Sequence, residues 1–129
     1  MIAVEPAESA VRSGGARGAH DIEGIGIGFV PSLWEREKVQ EIRAVPTEEA
    51  KAMARRLARE EGIFAGTSSG ANVSAALKVA QRLGRHATVV TLMVDSRSAV
   101  PQYRSVSVRM CSLHVQLPDD ADPMAKGET

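Results

Sequence analysis

Apolar and polar positions along the chain alternate with two different periods, and the change from one to the other marks the elements. Between Thr47 and Glu61, Ala50, Met53, Ala54, Leu57 and Ala58 recur at the i, i+3, i+4, i+7, i+8 spacing of one helix face. Lys51, Arg55, Arg56 and Arg59 fall mostly on the opposite side. Thr47 is read as the N-cap. Glu48 and Glu49 occupy the first turn, where the helix dipole favours negative charge, and Gly62 closes the helix as a C′ residue. A second helix is predicted from near Gly70, with Val73, Ala76, Leu77, Ala80 and Leu83 as its buried stripe and Gly84 after it. Three short runs have β character. Ile2 to Val4 is stopped by Glu5-Pro6, because proline cannot donate to a ladder. Ile63 to Ala65 is very short, and "TVVTLMV", Thr88 to Val94, suits a strand covered on both faces.

The order strand, loop, helix, strand, helix, strand predicts an α/β fold with a parallel sheet flanked by helices. Composition agrees. The 129 residues are 43% hydrophobic, enough for one modest core, and sixteen basic side chains balance sixteen acidic ones. A net charge of zero gives no electrostatic case for nucleic acid or an anionic membrane. No apolar run approaches the roughly 20 residues needed to cross a bilayer. The start, "MIAVEPAESA", lacks a basic, then apolar, signal pattern. A single cysteine, Cys111, excludes an internal disulfide framework, and the expected location is the cytoplasm.

Two small-residue segments carry the candidate chemistry. "GTSSG", Gly66 to Gly70, lies between a strand and a helix, beyond a strand's carboxyl end, where open α/β sheets bind ligands. Unpaired N–H groups and the Ser68 and Ser69 hydroxyls can receive a ligand there; alternatively one serine caps the helix and the glycines tighten a turn. "GIGIGFVP", Gly24 to Pro31, permits close backbone approach but lacks the G-x-G-x-x-G spacing of a dinucleotide site, and no P-loop occurs. His20, His86 and His114 have no metal-ligand spacing, so no metal site is expected. Ser68 has no identifiable base, so no nucleophilic triad is expected.

Taken together, "VEPAESAVRSGG", "HDIEGIGIGFVP" and "ARRLAREEGIFAGTSSGANVSAAL" resemble the C-terminal part of cysteine synthase, O-acetylserine sulfhydrylase. This is a pyridoxal-phosphate-dependent β-family that also includes cystathionine β-synthase. The resemblance runs from about Ile2 to Ser96 and implies part of a doubly wound, tryptophan-synthase-β-like sheet. It implies that Ser68 hydrogen-bonds the pyridine nitrogen of pyridoxal 5′-phosphate, and that Gly24, Ile25 and Gly26 line the cofactor cleft beside a small amino-acid substrate. A neutral hydroxyl, unlike a carboxylate, is expected not to hold the ring nitrogen protonated, leaving a milder electron sink. The family's reaction replaces the acetate of O-acetylserine with sulfide, giving L-cysteine, typically in a homodimer.

The same resemblance marks absences. The family's Schiff-base lysine, substrate loop and phosphate-binding loop belong upstream of the matched text, and Lys38, Lys51, Lys78 and Lys126 do not stand in the lysine's context. No catalytic residue is therefore assigned, and the chain alone is expected to be inactive, to bind cofactor poorly and to aggregate or remain loose. Residues 1–96 form the family-like part and 97–129 a divergent, poorly ordered tail with at most a short strand around Ser105 to Val108. "DSRSAVPQYRSVS" departs from the family's D-S-G-x-x-Y-L-S-T. With one choice of codons, Arg97 to Ser107 read one base later becomes G-L-R-Y-L-S-T-E-V-Y, which points to a frameshift. A cystathionine β-synthase fragment, a non-catalytic small-anion-binding module and a degraded reading frame are the alternative readings.

Overall fold

A computed structural model describes residues 1–95. The readings made for Ser96 onward, including the frameshifted tail and the strand near Ser105, lie outside the described residues. Two strands, β1 (Ile2–Pro6) and β2 (Glu41–Val45), pair in parallel, in register from Ile2 opposite Glu41 to Pro6 opposite Val45. Helices α1 (Thr47–Glu60) and α2 (Thr67–Leu83) follow, and three single 3-10 turns, at Ala7–Ser9, Val11–Ser13 and Arg36–Lys38, shape the long crossover. The α/β class and the parallel pairing are as the sequence predicts. Ile22, Val45, Ala50, Ala71 and Ala75 form the core, with Val4 and Ile25 packed against it.

Several details differ from the sequence reading, each for a physical reason. Strand β1 does not stop before Glu5-Pro6, because a proline at the last rung removes no interior ladder bond. Glu5 is fully buried, and its carboxylate accepts the Arg12 N–H at 2.9 Å, the Ser13 N–H at 3.1 Å and the Ser13 hydroxyl. Thus the chain after β1 is turned by a buried anion whose lone pairs have donors. Strand β2 was not anticipated, although Glu41, Ile42, Arg43, Ala44 and Val45 carry a period-2 trace.

Helix α1 begins one residue earlier than a Thr47 cap requires. Pro46 holds the N-cap position, where its missing N–H matters least, and the Thr47 N–H is received at 2.8 Å by Glu8 Oε1. Helix α2 begins at Thr67, so the small-residue segment is its first turn, not a loop before it. Its burial also exceeds one stripe: Gly70, Ala71, Ser74, Ala75 and Val79 are buried along with Val73, Ala76 and Ala80, whereas Leu83 is exposed. Of the run Ile63 to Ala65, only Ala65 makes a β-bridge, and Thr88 to Val94 forms no strand. That last segment runs beside α2 instead: the Asn72 amide donates to the Leu92 carbonyl and the Val94 N–H to Ser69 Oγ. Val90, Leu92 and Val94 are exposed, so the expected cover on both faces is not present among the described residues.

The two helices meet at Gly70. A Cβ there would lie 2.2 Å from the Ala50 carbonyl oxygen and 3.0 Å from the Ala54 nitrogen, so α2 touches the α1 backbone directly. Polar contacts flank this approach, with Lys78 Nζ 2.6 Å from Glu49 Oε1 and the Ser74 hydroxyl donating to the same carboxylate. The Lys78 hydrogen bond, followed by that of Ser74, holds the Glu49 carboxyl below its ordinary value.

Gly70→Ala is expected to destabilise the chain by about 1–3 kcal/mol, the cost of overpacking at rigid backbone. Urea unfolding measures this, and an unchanged midpoint would show that the helices have room to part. For Glu49 the folded value is depressed, so its contribution is complete above the ordinary 4.5 and disappears as pH falls through the lowered value. The partly exposed pair contributes about 0.5 kcal/mol at neutral pH. Glu49→Gln should remove that increment at pH 7, and its effect should fade as pH falls through the lowered value, read from melting temperatures across the range.

Candidate functional site

The first turn of α2 is built around an acid that the sequence reading did not single out. Asp95 Oδ1 accepts the Gly66 N–H at 3.2 Å, the Ser68 hydroxyl at 3.1 Å and the Ser69 hydroxyl at 2.9 Å. Ser69 Oγ in turn accepts the Val94 N–H at 3.0 Å. Ser68 and Ser69 are 4% and 0% exposed, so these hydroxyls are structural partners in a nearly dry turn. Neither serine caps α2; the cap position belongs to Gly66 and makes no side-chain bond. Asp95 supplies the negative charge that the helix N-terminus favours. Gly66 is required for this approach, since a Cβ would lie 1.9 Å from Asp95 Oδ2.

An ionised carboxylate only accepts hydrogen bonds, so the Ser68 hydroxyl must donate to Asp95. What Ser68 has left is lone pairs. A group arriving at Ser68 is met by an acceptor, backed one hydroxyl away by a negative charge.

The glycine segment reaches α2 through Thr67, which precedes Ser68. Thr67 Oγ1 donates to the Asp21 carbonyl at 3.1 Å and accepts the Glu23 N–H at 3.4 Å. Gly24, Gly26 and Gly28 all take positive φ, at 78°, 65° and 79°, which explains why glycine alternates there. Ile25 turns inward against the core. A Cβ at Gly24 would meet nothing within 4 Å, whereas one at Gly26 would strike Pro6 and the His20 ring. Gly24 therefore borders open space and Gly26 is tightly held.

His20, which the sequence left without a role, is the holding group. Its Nε2 lies 2.9 Å from the Gly26 carbonyl oxygen, and its Nδ1 accepts the Ile22 N–H at 3.3 Å. A cavity of about 720 Å³ opens beside it, lined by His20, Ile22, Lys51, Arg55, Phe64 and Thr67 among others. Lys51 hydrogen-bonds Asp21 at 2.8 Å, which holds the Asp21 carboxyl low and the Lys51 ammonium high. Lys78 is paired with Glu49 and Lys38 with Glu35, so each lysine among the described residues is an ion-pair partner. Among those residues no group of three His, Cys, Asp or Glu is arranged to hold a metal ion, and no helix is long and apolar enough to cross a membrane.

The pattern of known proteins supplies the context. A family model described as pyridoxal-phosphate dependent enzyme matches residues 1–95. Cysteine synthase from Staphylococcus aureus is 45% identical over 93 residues, which is 72% of this chain and 30% of that protein. Cysteine synthase 3 from Caenorhabditis elegans is 47% identical over 93 residues, 72% of this chain and 28% of that one. The chain thus spans less than a third of the length of these relatives. Among solved structures, a cysteine synthase from Entamoeba histolytica superposes with a TM-score of 0.61 at 49% identity, over 61% of this chain and 23% of that one. An O-acetylserine dependent cystathionine beta-synthase from Helicobacter pylori superposes with a TM-score of 0.60 at 43% identity, over 64% and 27%.

Asp95→Ala is expected to cost about 1–3 kcal/mol, because it strips the acceptor from Gly66, Ser68 and Ser69 at once. Asp95→Asn, which retains one acceptor oxygen, should cost less. Equal losses for the two variants in thermal unfolding would show that the oxygen is not what binds the turn.

Proposed function

The chain belongs to the pyridoxal-phosphate-dependent enzyme family, and on that premise we propose that it forms the ring-edge wall of a cofactor cleft in a cysteine synthase. The whole protein would make L-cysteine from O-acetylserine and sulfide in the cytoplasm. The observation that carries this reading is the Ser68 oxygen, buried at the head of α2 with its proton committed to Asp95 and lone pairs remaining. While its proton stays on Asp95, Ser68 can receive only a ring nitrogen that carries a hydrogen; a hydroxyl that turns from Asp95 would donate to the unprotonated ring that the resemblance implies. Gly24, whose missing side chain leaves open space, and Ile25 and Gly26, fixed by the core and by His20, would border the same cleft.

When bound, pyridoxal phosphate supplies the electron sink for β-elimination and replacement. The residues described here fit one edge of that group. They would orient the ring through Ser68, keep water from that edge by burying Ser68 and Ser69, and hold the glycine segment by Thr67 and His20. They offer no lysine to anchor it, since Lys38, Lys51 and Lys78 are engaged in ion pairs. We therefore propose that the 129 residues by themselves do not turn over O-acetylserine. Similarity to the Helicobacter pylori protein supports a second reading, in which the whole enzyme makes cystathionine from homocysteine.

Titrating the 129-residue chain with pyridoxal phosphate tests the site by NMR. Shifts are expected at the amides of Gly24 to Gly26 and Ser68 to Gly70. Ser68→Ala should weaken binding by about tenfold, the scale of one hydrogen bond. Shifts confined to other residues, or an unaltered affinity in Ser68→Ala, would remove Ser68 from the cleft. Sulfhydrylase turnover by the purified chain would overturn the proposed inactivity.

A further inference from the structure

The two hydrogen bonds of His20 determine where its proton sits. A neutral imidazole has one donor and one acceptor nitrogen. The Ile22 N–H is a donor, so Nδ1 must accept it, and Nε2 then carries the hydrogen that goes to the Gly26 carbonyl oxygen. The ring thus spans the segment from its first buried residue to its tightest glycine. Ile22 is 1% exposed and part of the core. Gly26 admits no Cβ, which would stand 2.6 Å from Nε2.

Protonation changes one end of this bridge and not the other. The imidazolium has two donors, so Nδ1–H would face the Ile22 N–H and that bond would be lost. The bond to the Gly26 oxygen would persist, strengthened by charge. Several charged groups surround the ring. Glu8 stands after β1. Burial raises the Glu8 carboxyl, but bonds from the Thr47 N–H and hydroxyl, with the nearby His20, bring it below its ordinary value. Asp21 and Glu23 lie on the ring's own segment, and Lys51 and Arg55 face the shared cavity from α1. Pro6, the β1 residue nearest the glycine, is uncharged. The Ile22 bond can form only with the neutral ring, which couples the ring's charge to the loop.

We propose that His20 is a pH-sensitive positioning residue: the neutral Nε2–H ring braces Gly24 to Gly26 against Ile22, and acidification releases that brace. What the segment faces rests on the cofactor reading above; the coupling itself does not. Histidine is the side chain suited to such a change near neutral pH.

The test is an NMR titration of the ligand-free chain. Long-range proton–nitrogen couplings are expected to show the Nε2–H form of His20 at alkaline pH. The Ile22, Gly24 and Gly26 amides should titrate with the same midpoint as the His20 ring, and not with that of His86. Protection of the Ile22 amide, corrected for intrinsic exchange, should fall by about tenfold on acidification. His20→Gln, which can donate and accept without titrating, should hold the loop and abolish its pH response. An Nδ1–H ring, loop amides that ignore the His20 midpoint, or a persisting response in His20→Gln would overturn the proposal. If His20→Gln does not fold, the tautomer and the wild-type midpoints decide the matter. Loop titration without any response to pyridoxal phosphate would sink the cofactor reading and leave the brace standing; the reverse pattern would sink the brace alone.

Discussion

Three donors converge on one oxygen of Asp95, and the head of α2 depends on that convergence. Two of the donors are hydroxyls on residues that are almost fully buried, and the third is the amide of Gly66 at the helix N-terminus. In water such hydroxyls would choose among many partners. Buried here, they need an acceptor, and the carboxylate satisfies three groups at once. The consequence reaches beyond stability. With its proton directed to Asp95, Ser68 keeps only an acceptor's capacity, so the chemistry of the turn is set by a residue 27 positions later in the chain.

Close approach is the second constraint, and Gly70 and Gly66 provide it against unlike neighbours. At Gly70 the neighbour is the α1 backbone, and at Gly66 it is the Asp95 carboxylate. Both positions have negative or extended backbone angles that other residues adopt, so what matters is the space a side chain would occupy and not conformational freedom. Gly24 is different: its positive φ is what glycine supplies, while the space around it stays open. The same residue type thus does distinct work within one small fold. The candidate site uses both kinds, with packed glycines under the helix and an uncovered one at the cleft.

A third layer ties the loop to the helix. Thr67 joins it to α2, while His20 joins its two ends to each other. Exposed apolar side chains at Ile27, Phe29, Val30 and Leu33 continue from the same segment. The loop therefore passes from a braced, half-buried start to an apolar surface within a few residues.

Much of this could be read directly from the residues. The apolar period of α1, its acidic first turn and the Gly62 stop, and the α/β class with parallel pairing, all follow from local propensity and side-chain spacing. The text of the Ser68 and Gly24 segments likewise pointed to the family to which the chain belongs. Local rules failed where partners are distant. Strand β2 exists because β1 lies beside it, whereas the stronger β-type run at Thr88 to Val94 pairs with neither strand and lies along α2. The roles of Glu5, His20 and Asp95 were invisible for the same reason, since a carboxylate or imidazole takes its function from the groups that burial brings to it. The sequence by itself determined the two helices, the α/β class and the family; the tertiary structure decided which runs became strands and which polar groups would be dry, and hence which of them had to find each other.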